Sequence, residues 1–437
     1  MTRIAFIGAG SVEFTKNLLA DLLSFPELAD ATIALHDIDP DRLEAAEAMA
    51  RWTNEALGAH ATIEAHADRR RALEGCDHAI NMIQVGGHAA TLIDFEIPAR
   101  HGLRQTIGDT LGIGGIFRAL RTIPVMQEIG RDMAELCPDA WLLNYTNPMA
   151  MLCWATYEGS PQQKVVGLCH SVQHTTRTLA EAVDVPFEET TFLGAGVNHQ
   201  AFILRFEHNG RNLYPLLDEA IERDPELRRR VRVEMYRRLG YFPTESSEHS
   251  AEYLPWFMRD DEMIDRFRLV VGDYIQRSED NLEEYERTRA MLAAGEPFEI
   301  ERSLEYGSLI VHSMVTGQER VIYGNVRNDG LITNLRQGAC VEVPCVVDRT
   351  GIRPTVVGEL PPQLAALNRT FLNVCELTVR AALDGSREHV HHAALLDPSA
   401  SGALSPDQIH AMVEELLDAH GESLPEGLRG VTHSSRT

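Results

Sequence analysis

The sequence predicts an α/β fold, a parallel sheet covered by helices, followed by a second, less regular α+β region. Three observations predict it. Short apolar runs alternate with amphipathic stretches through the first half. Each run ends just before a polar or glycine-containing turn. At 437 residues the chain also exceeds the size at which a single core keeps growing, so two domains are expected. The alternation gives out near residue 195, which divides the chain into segments 1–195 and 196–437.

The elements follow in order. Residues 3–7 and 32–35 read as the first two strands, and Phe14, Leu18, Leu19, Leu22 and Leu23 repeat at helical spacing between them. Later strands are expected at 78–83, 141–144 and 165–168. Ligands bind at the carboxyl edge of such sheets, so Gln84-Val85-Gly86-Gly87, Asn144 to Pro148 and Cys169-His170 are expected around one crevice. In the second half, 214–239 and 275–293 read as helical and 320–323 and 339–347 as strands. A last helix carries Ile409, Met412, Val413, Leu416 and Leu417, and 427–437 reads as a polar tail.

Composition removes several classes of function. A net charge of -25 argues against a nucleic-acid partner, because phosphate binding needs a basic footprint. The one basic run, Arg228 to Arg238, is interrupted by Glu234 and reads as a solvated helix face. Seven widely spread cysteines do not form a secreted disulfide framework and read as reduced thiols in a cytoplasm. No signal-type leader and no membrane span is expected.

Gly8-Ala9-Gly10-Ser11 follows a strand and opens a helix, and Asp37 ends the next strand. This is the context of a Rossmann-type dinucleotide site: Gly8 permits the turn, Gly10 lets backbone amides approach a pyrophosphate, and Asp37 accepts from the adenosine ribose. An acid there favours NAD over NADP, although His36 and Arg42 stand beside it and Glu13 replaces the third glycine of the usual pattern.

Cys169 ends a strand, and a thiolate paired with the imidazole of His199 suits Mn, Fe, Co, Ni or Zn better than Mg or Ca. From spacing alone each of the two reads rather as a structural residue, a buried apolar thiol and a satisfied histidine. Thr244 to Tyr253 packs Glu245, Glu248, His249, Glu252 and Tyr253 together; it reads evenly as a source of a base and sugar ligands or as a solvated loop with a capping Ser or Thr. Tyr323 to Gly330 is first a turn signal, and His389, His391 and His392 read as a helix face.

Six segments together resemble the NAD- and metal-dependent glycosidases of glycoside hydrolase family 4, in its bacterial α-galactosidase branch. They are 6–11, 109–116, 143–151, 167–173 with its Cys169-His170-Ser171-Val172, 244–249 and 323–330, and the similarity runs from Arg3 to about residue 425. The resemblance implies a lactate/malate dehydrogenase-like fold and hydrolysis without net redox. NAD+ takes a hydride from carbon 3 of the galactosyl ring, which acidifies carbon 2; a base removes that proton, the aglycone leaves, water adds and the hydride returns. It further implies Cys169 and His199 as ligands of a divalent metal such as Mn2+, Asn147 as substrate-binding, and Tyr253 as the carbon-2 base, with Glu252 or Glu248 as substitutes. His170 stands where phospho-glycosidase relatives carry an acid and is read as the general acid. A homo-oligomer, dimer or tetramer, is expected. The alternatives are an α-galacturonidase or α-glucosidase of the same family, or an NAD-dependent hydroxy-acid or polyol dehydrogenase.

Overall fold

In the computed structural model, residues 2–296, 300–303 and 305–429 are described. Six strands form the first part of the sheet: β1 (Arg3–Ile7), β2 (Thr32–His36), β3 (Thr62–His66), β4 (His78–Asn81), β5 (Trp141–Asn144) and β6 (Val165–Leu168). They lie in the order β3-β2-β1-β4-β5-β6, all parallel. This is the doubly wound dinucleotide-binding order, and its reversal between β1 and β4 opens a crevice at the carboxyl edge. The inner strands are buried on both faces, as a sheet covered twice requires; Ile4, Ala5, Phe6 and Ile7 of β1 are all buried, whereas the edge strand β3 buries only Ile63.

The later strands fall into two groups. β7 (Thr190–Ala195), β8 (Phe202–His208), β9 (Arg211–Asn212) and β10 (Phe242–Pro243) make a separate antiparallel sheet. β11 (Arg320–Arg327), β12 (Cys340–Asp348) and β13 (Gly351–Pro354) instead join β6 antiparallel and extend the first sheet to nine strands. Residues on both sides of position 195 therefore share one sheet.

The helix Gly112–Leu136 packs on the helices Met149–Gly159 and Pro362–Asp384, and its Ile113, Ile116, Phe117, Leu120 and Ile123 are fully buried. The expected 275–293 helix is Asp273–Ala294, whereas 214–239 divides into Tyr214–Arg223 and Val231–Leu239. The last helix, Pro406–His420, starts on a capping box between Ser405 and Gln408. Most of the expected tail, 430–437, lies outside the described residues. All seven cysteines are free. Among the described residues no helix is long and apolar enough to cross a membrane.

Candidate active site

The turn after β1 has the form its glycines require. Gly8 takes φ +81°, and the amides of Gly8 and Ala9 donate to the His36 carbonyl at 2.9 Å each, which locks β1 to β2. Gly10 donates to Asp37 Oδ2 at 2.8 Å, and a Cβ there would meet Arg42 Cβ at 2.6 Å and Asp37 Oδ2 at 2.7 Å. The helix Val12–Leu23 that follows has Ser11 at its cap with no side-chain cap bond. Its first amides are thus available to an anion, and the glycine cradle fits a dinucleotide pyrophosphate.

The loops after β4, β5 and β6 meet at the same edge. Thr146 donates to the Ile83 carbonyl at 3.0 Å, and Arg121 Nε to the Val85 carbonyl at 3.0 Å. The peptide Asn147-Pro148 is cis. Asn147 Nδ2 donates to Asp109 Oδ2 at 2.9 Å, while its Oδ1 is buried without a partner, a free acceptor in the crevice.

Cys169 closes β6, and its Sγ lies with donor atoms of His199 and Glu245, all within 4.8 Å of one another. His199 holds an αL backbone at φ +65°, uncommon outside glycine. Its Nδ1 is 2.9 Å from the Thr110 hydroxyl and its Nε2 3.5 Å from Glu245 Oε2. Burial, then the charges of Glu245 and Glu342, push the Cys169 thiol up to about 12. Glu245 is held below the ordinary carboxylate value, because His199 and His249 outweigh its burial. A half-buried thiol, a buried imidazole and an ionised carboxylate converging on one point fit a borderline divalent cation.

A second cluster, Asp109, His199 and His249, shares the imidazole. Burial raises the Asp109 carboxyl, but the His249 hydrogen bond and the His249 and Arg118 charges hold it well below its usual range. The loop carrying Asp109 and Thr110 is organised by Glu252, which accepts from the amides of Thr106, of Ile107 at 3.1 Å and of Gly108 at 2.9 Å. Burial pushes Glu252 up to about 7 in spite of these bonds.

His170 caps the helix Ser171–Ala182, is exposed, and sets Nδ1 3.2 Å from Glu305 Oε1. That partner, against some desolvation, raises its imidazole to about 9. Tyr253 is only 2% exposed, T-stacked on Phe371 and 6.4 Å from the His249 ring between centroids. Its hydroxyl finds no well-formed hydrogen bond. Burial, then Asp109, Glu245 and Glu252, push its phenol well above the ordinary value.

The region 244–253 is not a solvated loop. It enters on β10, forms the helix Ser247–Glu252, and is mostly buried, with Ser246 accepting from the His249 amide as its cap. Asn328, by contrast, has the turn role expected of it: Nδ2 donates to the Ile332 carbonyl at 3.0 Å and Oδ1 accepts from the Ile332 amide at 2.9 Å. Asp109, Thr110, Glu305 and Glu342 join the site beyond the residues singled out from sequence, and Glu245 and His249, read there as part of a polar segment, take places in the two ligand groups. Glu342 carried a visible signal, a carboxylate inside the apolar run 339–347, and it is fully buried with its pKa pushed by burial to about 7. Glu305 sits in no motif.

Comparison with known proteins gives the family. Residues 3–185 match the family model described as family 4 glycosyl hydrolase, and 194–400 match the family 4 glycosyl hydrolase C-terminal domain. The chain is 45% identical to an alpha-galactosidase of Bacillus subtilis (strain 168) over 98% of this chain and 100% of that one. It is 37% identical to an alpha-galactosidase of Rhizobium meliloti (strain 1021) over 97% and 89%. A 6-phospho-alpha-glucosidase from gut microorganisms, solved in complex with NAD and Mn2+, superposes with a TM-score of 0.83 at 19% identity over 97% and 99% of the two chains. The chain belongs to glycosyl hydrolase family 4.

Proposed function

We propose that the protein is an α-galactosidase that hydrolyses terminal α-galactosides such as melibiose, dependent on NAD+ and a divalent metal, most naturally Mn2+. The observation that carries this reading is the convergence of Cys169, His199 and Glu245 beside Asn147, at the carboxyl edge of a dinucleotide-binding sheet. The alpha-galactosidase relatives at 45% and 37% identity support the choice of sugar. Segment 1–195 would bind the nucleotide through Gly8, Gly10, Ser11 and Asp37, and 196–437 would supply the substrate wall and subunit contacts. A cytoplasmic homo-oligomer, dimer or tetramer, completes the proposal, and the seven free cysteines suit a reducing compartment.

When bound, NAD+ supplies a hydride acceptor, and the cation supplies Lewis-acid polarisation of the sugar oxygens and lowers a nearby phenol. The chain's own residues divide the remaining work. Cys169 and His199 hold the cation, and the Asn147 Oδ1 accepts a ring hydroxyl. His170, kept protonated at neutral pH by Glu305, donates to the leaving oxygen. Tyr253, whose buried hydroxyl has no well-formed hydrogen bond, takes the carbon-2 proton. Glu252 is committed to loop amides and serves as a positioning residue.

The test is nitrophenol release from p-nitrophenyl α-galactoside by chelator-stripped enzyme under reducing conditions, with NAD+ and Mn2+ added singly and together. Activity only with both is expected; release with neither would overturn the proposal. Cleavage of the matching galacturonide or glucoside in preference to the galactoside would reassign the sugar. His170→Asn should lose far more activity on an alkyl galactoside than on the nitrophenyl one, because only the poor leaving group needs a proton. Equal losses on both would remove His170 from that role.

A further inference from the structure

A third group of metal-ligating side chains lies away from the crevice, on the helices Arg387–Leu396 and Pro406–His420. His410 and Glu414 stand one turn apart on the second helix and so share a face. His391 reaches across from the first helix: its ring stacks on that of His410 at 4.3 Å and 16°, and its Nε2 is 2.8 Å from Glu414 Oε1. One ligand atom from each of His391, His410 and Glu414 lies within 4.8 Å of the others.

The surroundings arrange this cluster for a cation rather than for a plain ion pair. Arg387 Nη2 holds Glu414 Oε2 at 2.7 Å, which turns Oε1 toward the imidazoles. Arg387 is fixed in turn by the Leu428 carbonyl at 2.6 Å. His391 Nδ1 is buried without a partner.

We propose that His391, His410 and Glu414 form a second, peripheral site for a zinc-class ion, which cross-links the two C-terminal helices. Zn–N and Zn–O bonds of about 2.0–2.2 Å bring tetrahedral ligands closer together than the present spread. Rotation of the exposed His410 supplies the approach, and water completes the shell. The guanidinium beside Glu414 opposes a hard cation held by charge alone. The site therefore selects ions with high imidazole affinity, Zn2+, Ni2+ or Cu2+, over Mg2+, Ca2+ and Mn2+. The helix that carries His410 ends at His420, whose Nε2 is 2.9 Å from the buried Asp94 Oδ1, so a cross-link here braces an element anchored to the helix Gly87–Arg100.

The experiment is Zn2+ titration of the chelator-stripped full chain against a chromophoric chelator, in wild type, Cys169→Ser, His410→Ala and the double variant. Two zinc ions per chain are expected for wild type, one for each single variant and none for the double. In the Cys169→Ser background a hundredfold excess of Zn2+ over its Kd should raise Tm by about 3 °C, and His410→Ala should abolish that shift. His410→Ala alone should keep its activity with NAD+ and Mn2+, since it lies outside the crevice. One zinc per chain, lost in Cys169→Ser and untouched by His410→Ala, would overturn the proposal, as would an unchanged Zn2+-dependent Tm shift in the double variant.

Discussion

Thr110 bears most directly on whether the site holds a metal as argued. Its hydroxyl lies 2.7 Å from Asp109 Oδ1 and 2.9 Å from His199 Nδ1, and it has one proton to give. The ionised Asp109 is the stronger acceptor and takes it. The hydroxyl must then accept from His199 Nδ1–H, which leaves the Nε2 lone pair bare on the side of Glu245 and Cys169. Thr110 thus links a carboxylate to a metal-binding imidazole and fixes its tautomer.

Thr110→Val keeps the shape and removes both bonds. Losing an outer partner of a ligating His costs about 10–100-fold in metal affinity, or about 1.4–2.8 kcal/mol. Leaving a buried Nδ1–H unpaired costs about 1–3 kcal/mol, so two independent routes give the same size of effect. Free Mn2+ measured by electron paramagnetic resonance during titration should show Kd raised by this factor in Thr110→Val and restored in Thr110→Ser, at unchanged NAD+ affinity. A Thr110→Val Kd within about twofold of wild type would refute the tautomer argument.

Three further outcomes follow from separate parts of the molecule. Arg121→Met strips a buried Asp94 of its bidentate partner, the two side chains being 1% and 3% exposed; breaking such a pair costs about 3–5 kcal/mol, and a chain of this size should lose about 3–5 °C in Tm by calorimetry. Asp397 caps the helix Pro398–Ala403, and burial raises it from 3.8 to about 6. With the folded value above the unfolded one, its contribution is fully present below 3.8 and lost as pH rises through about 6. The Tm difference between Asp397→Asn and wild type should therefore shift toward the variant from about pH 4 to pH 7, and a constant difference would contradict it. Gly10→Ala puts a methyl group against Arg42 and Asp37, at 2.6 and 2.7 Å, so NAD+ affinity measured by fluorescence should fall about tenfold, a loss of about 1.4 kcal/mol, while Mn2+ affinity stays unchanged.

What the sequence discloses depends on whether a residue's partners are near it in the chain. β5 and β6 are readable to the residue because apolar strands with buried faces end on polar turns, and the Gly8 turn is readable because strand, glycine and helix are contiguous. β3 went unread because only one of its five residues is buried, which leaves no apolar pattern to detect. The destination of β11 to β13 is equally hidden: their strand character is local, but pairing with β6 is set by tertiary packing.

The site divides along the same line. Cys169 and Asp37 directly follow a strand and Asn147 lies three residues beyond one, so topology alone brings them to the crevice. The partners that set their chemistry come from distant segments: Glu245 for the metal group, Asp109 for Asn147, Glu305 for His170. No period or spacing encodes those meetings, and for that reason the sequence of 244–253 fits a loop and a catalytic segment equally. Burial decides it. A stretch with this much charge stays buried only when its carboxylates and imidazoles answer one another or a ligand, as Glu252 answers the Thr106 to Gly108 amides and Glu245 answers His199. Tyr253, Glu342 and Asn147 are among the buried groups of the site that keep a polar atom without a well-formed partner, and such atoms persist in a fold where a ligand or water answers them.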